Sequence, residues 1–410
     1  MVEVNYHNLR WARDAVKLSR DDAAKKLNLT TSWRSTAVEK LDKIENGDKP
    51  PTQSQLEKMA NVYKQPVVAF YLDSQPSKGD KLPDFRTLPQ QQQDAEGNAL
   101  LDILISKVKA QQSLTRDLLE EEDQSPLAKI ASARGITDVE YIAADIMKTT
   151  GFELDLYRRT PKQPEKAFTY LRSCIENIGI FVQLISDLGH PQSNTIPVSV
   201  FRGFALADRI APFIVINRKD SKRAQSFTLL HEVAHIWLGS SGISGKIHDT
   251  DSNLERLCSR VAARMLLQPH ELSELASLHF EPFENQLASI QQFADSRNIS
   301  GAMVAYNLRI EDYIDSEMWQ RIQNKNADDL LIKEQKEKEK REQDKALGKS
   351  TPIDANVMKR FSLGAPLLDL ARRSMAAGIL TPTKASTLLG VKPRKVRSFL
   401  YPNRPGSSIE

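Results

Sequence analysis

The sequence predicts an α+β, mostly helical chain built from more than one domain, and three observations predict it. Its 410 residues exceed what a single hydrophobic core ordinarily organises, so two or three domains are expected. Apolar residues at helical spacing occupy most of the chain, and short β-rich runs are confined to about residues 179–216. Directly after those runs stands His231-Glu232-Val233-Ala234-His235, an HExxH pentapeptide in a segment with almost no polar face.

Composition narrows the class further. Hydrophobic residues make up 40% and charged residues 27%, the ordinary balance of a soluble protein. No apolar run approaches a membrane span, and charged residues recur through the first helix where a signal peptide would need an apolar stretch. A cytoplasmic chain with no membrane partner is expected. Cys174 and Cys258 each sit in an apolar element, which predicts free buried thiols rather than a disulfide or metal ligands. A net charge of +4 does not by itself point to nucleic acid.

Residues 1–74 form the first expected domain. Leu9 to Arg13 and Leu18 to Leu29 give a helix, a Ser19 cap and a short helix whose Ala24 suits a close helix crossing. Leu41 to Gly47 reads as a glycine-terminated helix, and Leu56 to Tyr63 as an amphipathic helix after Pro50-Pro51-Thr52. The segment resembles the XRE or lambda-repressor-type helix-turn-helix domains, which implies five helices and DNA binding. Between Leu29 and Ile44 it is about seven residues longer than that pattern, so the turn or the recognition helix carries an insertion holding Trp33 and Arg34. Arg34, Lys40 and Lys43 are the candidate DNA contacts. The recognition segment also carries Glu39 and Asp42, which cancel its positive charge, and the other reading is a repressor-like module for partner binding or dimerisation.

Residues 75–98, polar and proline-containing with glutamines at 90–93, read as a linker. The central domain is expected over 99–315. It opens with helices near 98–121 and 138–150, followed by β runs at Gly179 to Ile185, Val198 to Phe201 and Phe213 to Ile216. An edge strand of such a sheet can hold an extended peptide by strand addition, with no strand singled out.

In a helix, positions i and i+4 share a face, so both imidazoles of the HExxH can reach one cation while Glu232 sits one position round. The flanks, Phe227 to Leu230 and Ile236 to Gly239, are apolar, so the helix should be buried. An ionised glutamate there needs a compensating partner or metal. A catalytic zinc takes three protein ligands and leaves one position open. Ser241 occupies the place where a metzincin would carry its third histidine, so that class is excluded. His248 lies in a Gly/Ser/Asp-rich loop and is poorly pre-positioned. Glu255 opens a second apolar helix over Leu254 to Leu267, whose inner stripe is Leu254, Leu257, Cys258, Val261, Met265 and Ala262. It is the better third ligand, although a first-turn glutamate is also favoured by the helix dipole alone.

The stretch from Ala211-Pro212-Phe213-Ile214-Val215-Ile216-Asn217, through Arg223 and Phe227 to His235, to Glu255-Arg256-Leu257-Cys258 and Pro269 resembles the ImmA/IrrE metallopeptidases. The order of helices, small sheet and HExxH helix is that of a zincin. The resemblance implies a gluzincin-like site with Zn2+ on His231, His235 and Glu255 and with Glu232 as general base. It also implies a regulator that cleaves a helix-turn-helix repressor. Two positions depart from the pattern: Ser259, where an asparagine commonly follows the cysteine, and Arg264, where an acidic residue or alanine is usual. The ligands are intact; a contact behind them is what Ser259 puts in question. His248, His270 and Tyr306 are candidates for stabilising the oxyanion.

Residues 316–350, with mixed charges from Lys333 to Lys349, read as a charged helical spacer before a small C-terminal helical region at 351–410. Within that region Leu367 to Arg373 makes an amphipathic helix, and Ser386, Gly390 and Val396 fall at helix-turn-helix spacing. Lys392, Arg394, Lys395 and Arg397 are its candidate DNA contacts. The combined expectation is a zinc-dependent endopeptidase that regulates transcription by cleaving a partner repressor, fused to a DNA-binding domain. Its expected partners are a protein substrate and operator DNA, and homodimerisation stays open. The alternative is a non-proteolytic regulator or antitoxin-like protein whose zincin domain senses a signal or binds a partner.

Overall fold

Side-chain caps set where the first helices begin. Asn5 accepts a backbone bond ahead of α1 (Tyr6–Ala15), Ser19 ahead of α2 (Arg20–Lys26), Thr36 ahead of α3 (Ala37–Glu45) and Thr52 ahead of α4 (Gln53–Val62). At α3 and α4, Glu39 and Gln55 return the bond to the cap's own backbone, forming capping boxes. In this computed structural model the described residues are 4–16, 18–31, 35–63, 70, 95–127, 129–188, 195–240, 242–244, 253–280, 282–322, 324, 325, 339 and 354–402. The chain forms two units, residues 1–81 with 95–107, and residues 82–94 with 108–410.

In the first unit, Leu9, Ala24, Leu41, Ile44 and Met59 pack into one core. Ala24 is buried as a close crossing requires. Inside that core Arg13 Nε donates to Glu45 Oε1 at 2.8 Å and its Nη2 to Oε2 at 3.1 Å, so neither buried charge is left without its counter-ion. Residues 27–36 join α2 to α3. Trp33 and Arg34 lie outside the described residues, as does most of the chain where a fifth helix would follow Tyr63.

Helix α5 (Ala95–Glu121) begins earlier than the expected residue 98. The remainder of the expected linker, up to residue 94, lies outside the described residues. The second unit then runs through α6 (Val139–Thr150), α7 (Leu154–Arg158) and α8 (Pro164–Asn177) into the sheet. Strands β1 (Phe181–Leu184), β2 (Gly203–Leu206), β3 (Phe213–Ile216) and β4 (Gly242–Ser244) lie in the order β1-β3-β2-β4. Strand β1 runs parallel to β3, and the other two pairings are antiparallel. Val182, Leu184, Ala205, Ile214 and Ile216 alternate into one core, as a period of two demands. Residues of α8, α9 (Lys222–Leu238) and α10 (Asn253–Leu266) complete that core.

Two β expectations are corrected. Val198 to Phe201 is a turn, because the carbonyl of Pro197 accepts from both Val200 N and Phe201 N; the strand starts two residues later, at Gly203. The stretch after Gly239, expected to be all loop, contributes β4. A 3-10 segment (Pro269–Phe280), α11 (Phe283–Ser296) and α12 (Gly301–Ile310) follow.

The charged stretch 326–350 lies almost wholly outside the described residues. Helices Ala355–Leu363, Ala365–Ala376, Pro382–Leu389 and Val396–Leu400 then pack within the second unit. Arg172 of α8 holds them: its guanidinium donates to Phe361 O at 2.7 Å and to Val182 O of β1 at 2.5 Å, and pairs with Glu176 at 2.9 Å. Gly364, at φ +86°, comes so close to Arg172 that a Cβ would stand 2.7 Å from its Nη2. Among the described residues no helix is long and apolar enough to cross a membrane.

Candidate metal centre

Helix α9 carries the HExxH, and every residue from Ala224 to Leu238 is buried, as its missing polar face predicts. Ser221 caps its start, and Gly239 at φ +70° ends it in the left-handed conformation that glycine adopts without strain. Its last carbonyls are occupied as well. Ala131 N donates to Ile236 O and Ala133 N to Trp237 O, so a buried helix end is left satisfied. These fixtures hold His231 and His235 one turn apart.

Helix α10 crosses α9 and supplies Glu255. Its buried face is centred on Glu255, Cys258, Ser259 and Ala262, whereas Leu254 and Leu257 of the expected stripe are only partly buried. The rotation brings the carboxylate, not the two leucines, against the histidines. His231 Nε2 lies 2.9 Å from Glu255 Oε2, His235 Nε2 lies 2.8 Å from Glu255 Oε1, and the two Nε2 atoms are 3.1 Å apart. A tetrahedral ion with bonds of about 2.0–2.1 Å would space its ligands at about 3.3 Å, so these separations are close to the edges of such a site. All three groups are buried, with exposures of 5%, 0% and 2% for His231, His235 and Glu255. They form a His-His-Glu set able to hold a metal ion.

Polar contacts back these groups. Ser240 Oγ donates to His235 O at 3.3 Å and stands 2.9 Å from His235 Nδ1. The hydroxyl thus backs the ring at Nδ1 while Nε2 faces Glu255. Burial pushes the His235 pKa down, favouring the neutral ring. Burial alone would push Glu255 up, but the contacts with His231 and His235 outweigh it and bring the carboxylate to about 2.

Ser259 makes the other backing contact, with its Oγ 3.3 Å from His231 Nδ1. The departure from the family pattern at this position therefore leaves a polar group behind the ligand. Arg264, the other departure, pairs with Glu140 of α6 at 2.6 Å. Glu232 is 0% exposed, and its Oε1 lies beside Gly203 of β2, where a Cβ would stand 3.0 Å away. Neither Ser240 nor Gly203 was singled out from the sequence. Ser240 could have been found as the residue just beyond the helix stop; Gly203 gave no signal, since the strand itself was misplaced.

Cys174 and Cys258 are free and buried, as expected, and burial raises both thiols. His248 lies outside the described residues, and His270 is exposed on the 3-10 segment. Tyr306 is half-buried on α12 with its ring 5.9 Å from that of Trp319. Of the candidate DNA contacts, Lys40 is half-buried with Nζ on Thr30 O at 2.5 Å. Lys43, Lys392, Arg394, Lys395 and Arg397 are exposed, and Arg34 lies outside the described residues.

Two imidazoles and a carboxylate on two packed, buried helices thus form a donor set that could hold a metal ion, with a second glutamate, Glu232, buried on the same helix as the histidines. Residues 192–309, which include β2, β3, α9 and α10, match the family model of the IrrE N-terminal-like domain, Peptidase_M78. No curated protein and no solved structure matches the chain.

Proposed function

We propose that this chain is a zinc-dependent endopeptidase that regulates transcription by cutting a protein, with a helix-turn-helix repressor as substrate. The observation that carries the reading is the convergence of His231 Nε2, His235 Nε2 and Glu255 within 3.1 Å of one another, with Glu232 on the same helix. Zinc held by these groups would supply Lewis acidity and make a bound water acidic near neutral pH. Glu232 takes the proton from the attacking water and passes it to the leaving amine nitrogen. Its burial keeps bulk water from competing for that proton. Ser240 and Ser259 hold the imidazole orientations while this happens.

The regulatory part of the reading is supported by the match over residues 192–309 and by the likeness of residues 1–74 to repressor domains. A chain that carries a repressor-like unit beside a peptidase unit acts on regulatory proteins rather than on nutrient peptides, and does so in the cytoplasm. The test compares the wild type with Glu232→Gln for bound zinc and for cleavage of repressors encoded beside its gene. Equal zinc with cleavage by the wild type alone is expected. Equal zinc and intact repressors in both would overturn the peptidase reading in favour of a non-proteolytic regulator.

A further inference from the structure

Residues 370–402 contain no aspartate or glutamate. Helix Pro382–Leu389 stops at Gly390, φ +62°, and Ser386 Oγ donates across the turn to Val391 O at 2.6 Å. The chain re-enters a helical path at Pro393–Lys395 and continues through Val396–Leu400. Ala385, Leu388 and Leu389 of the first helix and Val396, Phe399 and Leu400 of the second are buried. The result is a short helix, a tight turn and a second helix. Gln111 Nε2 donates to Leu388 O at 2.6 Å and Arg372 Nε to Leu400 O at 3.1 Å, so the pair is fixed to the second unit.

Cations on this motif divide into two sets. Arg372 and Arg373 are paired with Asp369 at 2.5 Å and Glu122 at 2.9 Å. Lys384, Lys392, Arg394, Lys395 and Arg397 are exposed, and among the described residues none of them makes an ion pair. The first unit differs. Its α3 carries Glu39, Asp42 and Glu45 beside Lys40 and Lys43, and Arg20 is paired with Asp42 at 3.1 Å.

We propose that residues 382–400 bind duplex DNA, with Arg394 and Lys395 of the 3-10 turn, Arg397 of the helix that follows it, and Lys384 and Lys392 contacting phosphates. This goes beyond the peptidase reading and stands without it. Cations with no acidic neighbour keep their full attraction for a polyanion. A continuous 3-10 and α-helical segment over Pro393–Leu400 bearing three of them, set by a tight turn, presents them together to a groove. Single-stranded nucleic acid is taken largely by stacking bases on exposed rings, and the one aromatic residue within 382–400, Phe399, is buried.

The test uses the full chain and a labelled mixed-sequence DNA duplex about two helical turns long, read by fluorescence anisotropy. Five phosphate contacts predict a slope of log affinity on log salt of about −4.5, at about 0.9 per phosphate. The triple variant Arg394→Ala, Lys395→Ala, Arg397→Ala should bind at least about tenfold more weakly at low salt, with a slope shallower by about 2.7. Lys40→Ala with Lys43→Ala should leave the affinity within about twofold. Circular dichroism checks the fold; if the triple variant misfolds, Lys384→Ala with Lys392→Ala should show the same loss with a slope change of about 1.8. The proposal is overturned if the wild type ignores the duplex, if the loss follows Lys40 and Lys43, or if an RNA hairpin or polyglutamate binds more tightly than the DNA.

Discussion

Ser240 Oγ stands 2.9 Å from His235 Nδ1, and the same oxygen reaches the carbonyl of His235 at 3.3 Å. One serine just beyond the helix stop thereby backs the ring of a candidate metal ligand. Removing such a backing contact commonly weakens metal affinity about 10–100-fold. Ser240→Ala should therefore release zinc to a competing chelator at correspondingly lower chelator concentration while its circular dichroism stays that of the wild type. Unchanged zinc affinity would show that the hydroxyl does not set the ring.

Gly203 is where strand β2 meets helix α9. A Cβ there would stand 2.6 Å from Thr228 Cγ2 and 3.2 Å from Val215 O. Backbone on one side and a packed methyl on the other leave little room to yield. Gly203→Ala should cost about 1–3 kcal/mol in urea denaturation, the usual range for overpacking. It should also lower cleavage more than zinc content, since the same Cβ would press on Glu232 Oε1 and not on a ligand. Wild-type stability in this variant would contradict the close approach.

Glu271 gives the acid dependence. Burial alone would raise its carboxyl, but Arg158, donating at 2.7 and 3.0 Å, outweighs that with help from Gln268 N and Arg297 and holds it down to about 2. A carboxylate depressed from an unfolded value of about 4.3 contributes stability that is complete above that value and lost as pH falls toward 2. Glu271→Gln should flatten the fall of the urea midpoint between about pH 4.5 and about pH 2. Parallel curves for the two proteins would remove Glu271 from the account.

Arg172 and Glu176 form a buried pair that also carries the C-terminal helices through Phe361 O. Arg172→Ala would leave Glu176 buried without its counter-ion, a change that costs about 3–5 kcal/mol. Limited proteolysis should then release residues after about 350 faster than in the wild type. Equal proteolysis rates would mean that the clamp does not hold the C-terminal helices.

The grouping of His231, His235 and Glu255 was legible from the sequence because most of it is written at short range. The i, i+4 histidines and the apolar residues around them specify both the shared face and its burial, and Glu255 stands out as an acid on an apolar helix. The rotation of α10 was not legible, since Leu254 and Leu257 look as apolar as Cys258 and only the crossing with α9 decides which face turns inward. β1 and β3 lie where they were expected, but the placement of β2 failed for a similar reason. Val198 to Phe201 has β-forming residues, yet Pro197 starts a turn, and the strand begins at Gly203, a residue with low strand preference chosen by its contact with α9. Of the N-terminal helix caps only Ser19 was legible, and those at Asn5, Thr36 and Thr52 were not, while the joining of the C-terminal helices to the second unit includes Arg172, nearly two hundred residues away in the chain.

The central claim is that His231, His235 and Glu255 hold one metal ion. Elemental analysis of the purified wild type and of Glu255→Ala tests it most directly. About one zinc per chain in the wild type, and a loss of most of it in the variant with the fold retained, is the predicted result. A metal-free wild type, or full zinc in Glu255→Ala, would contradict it.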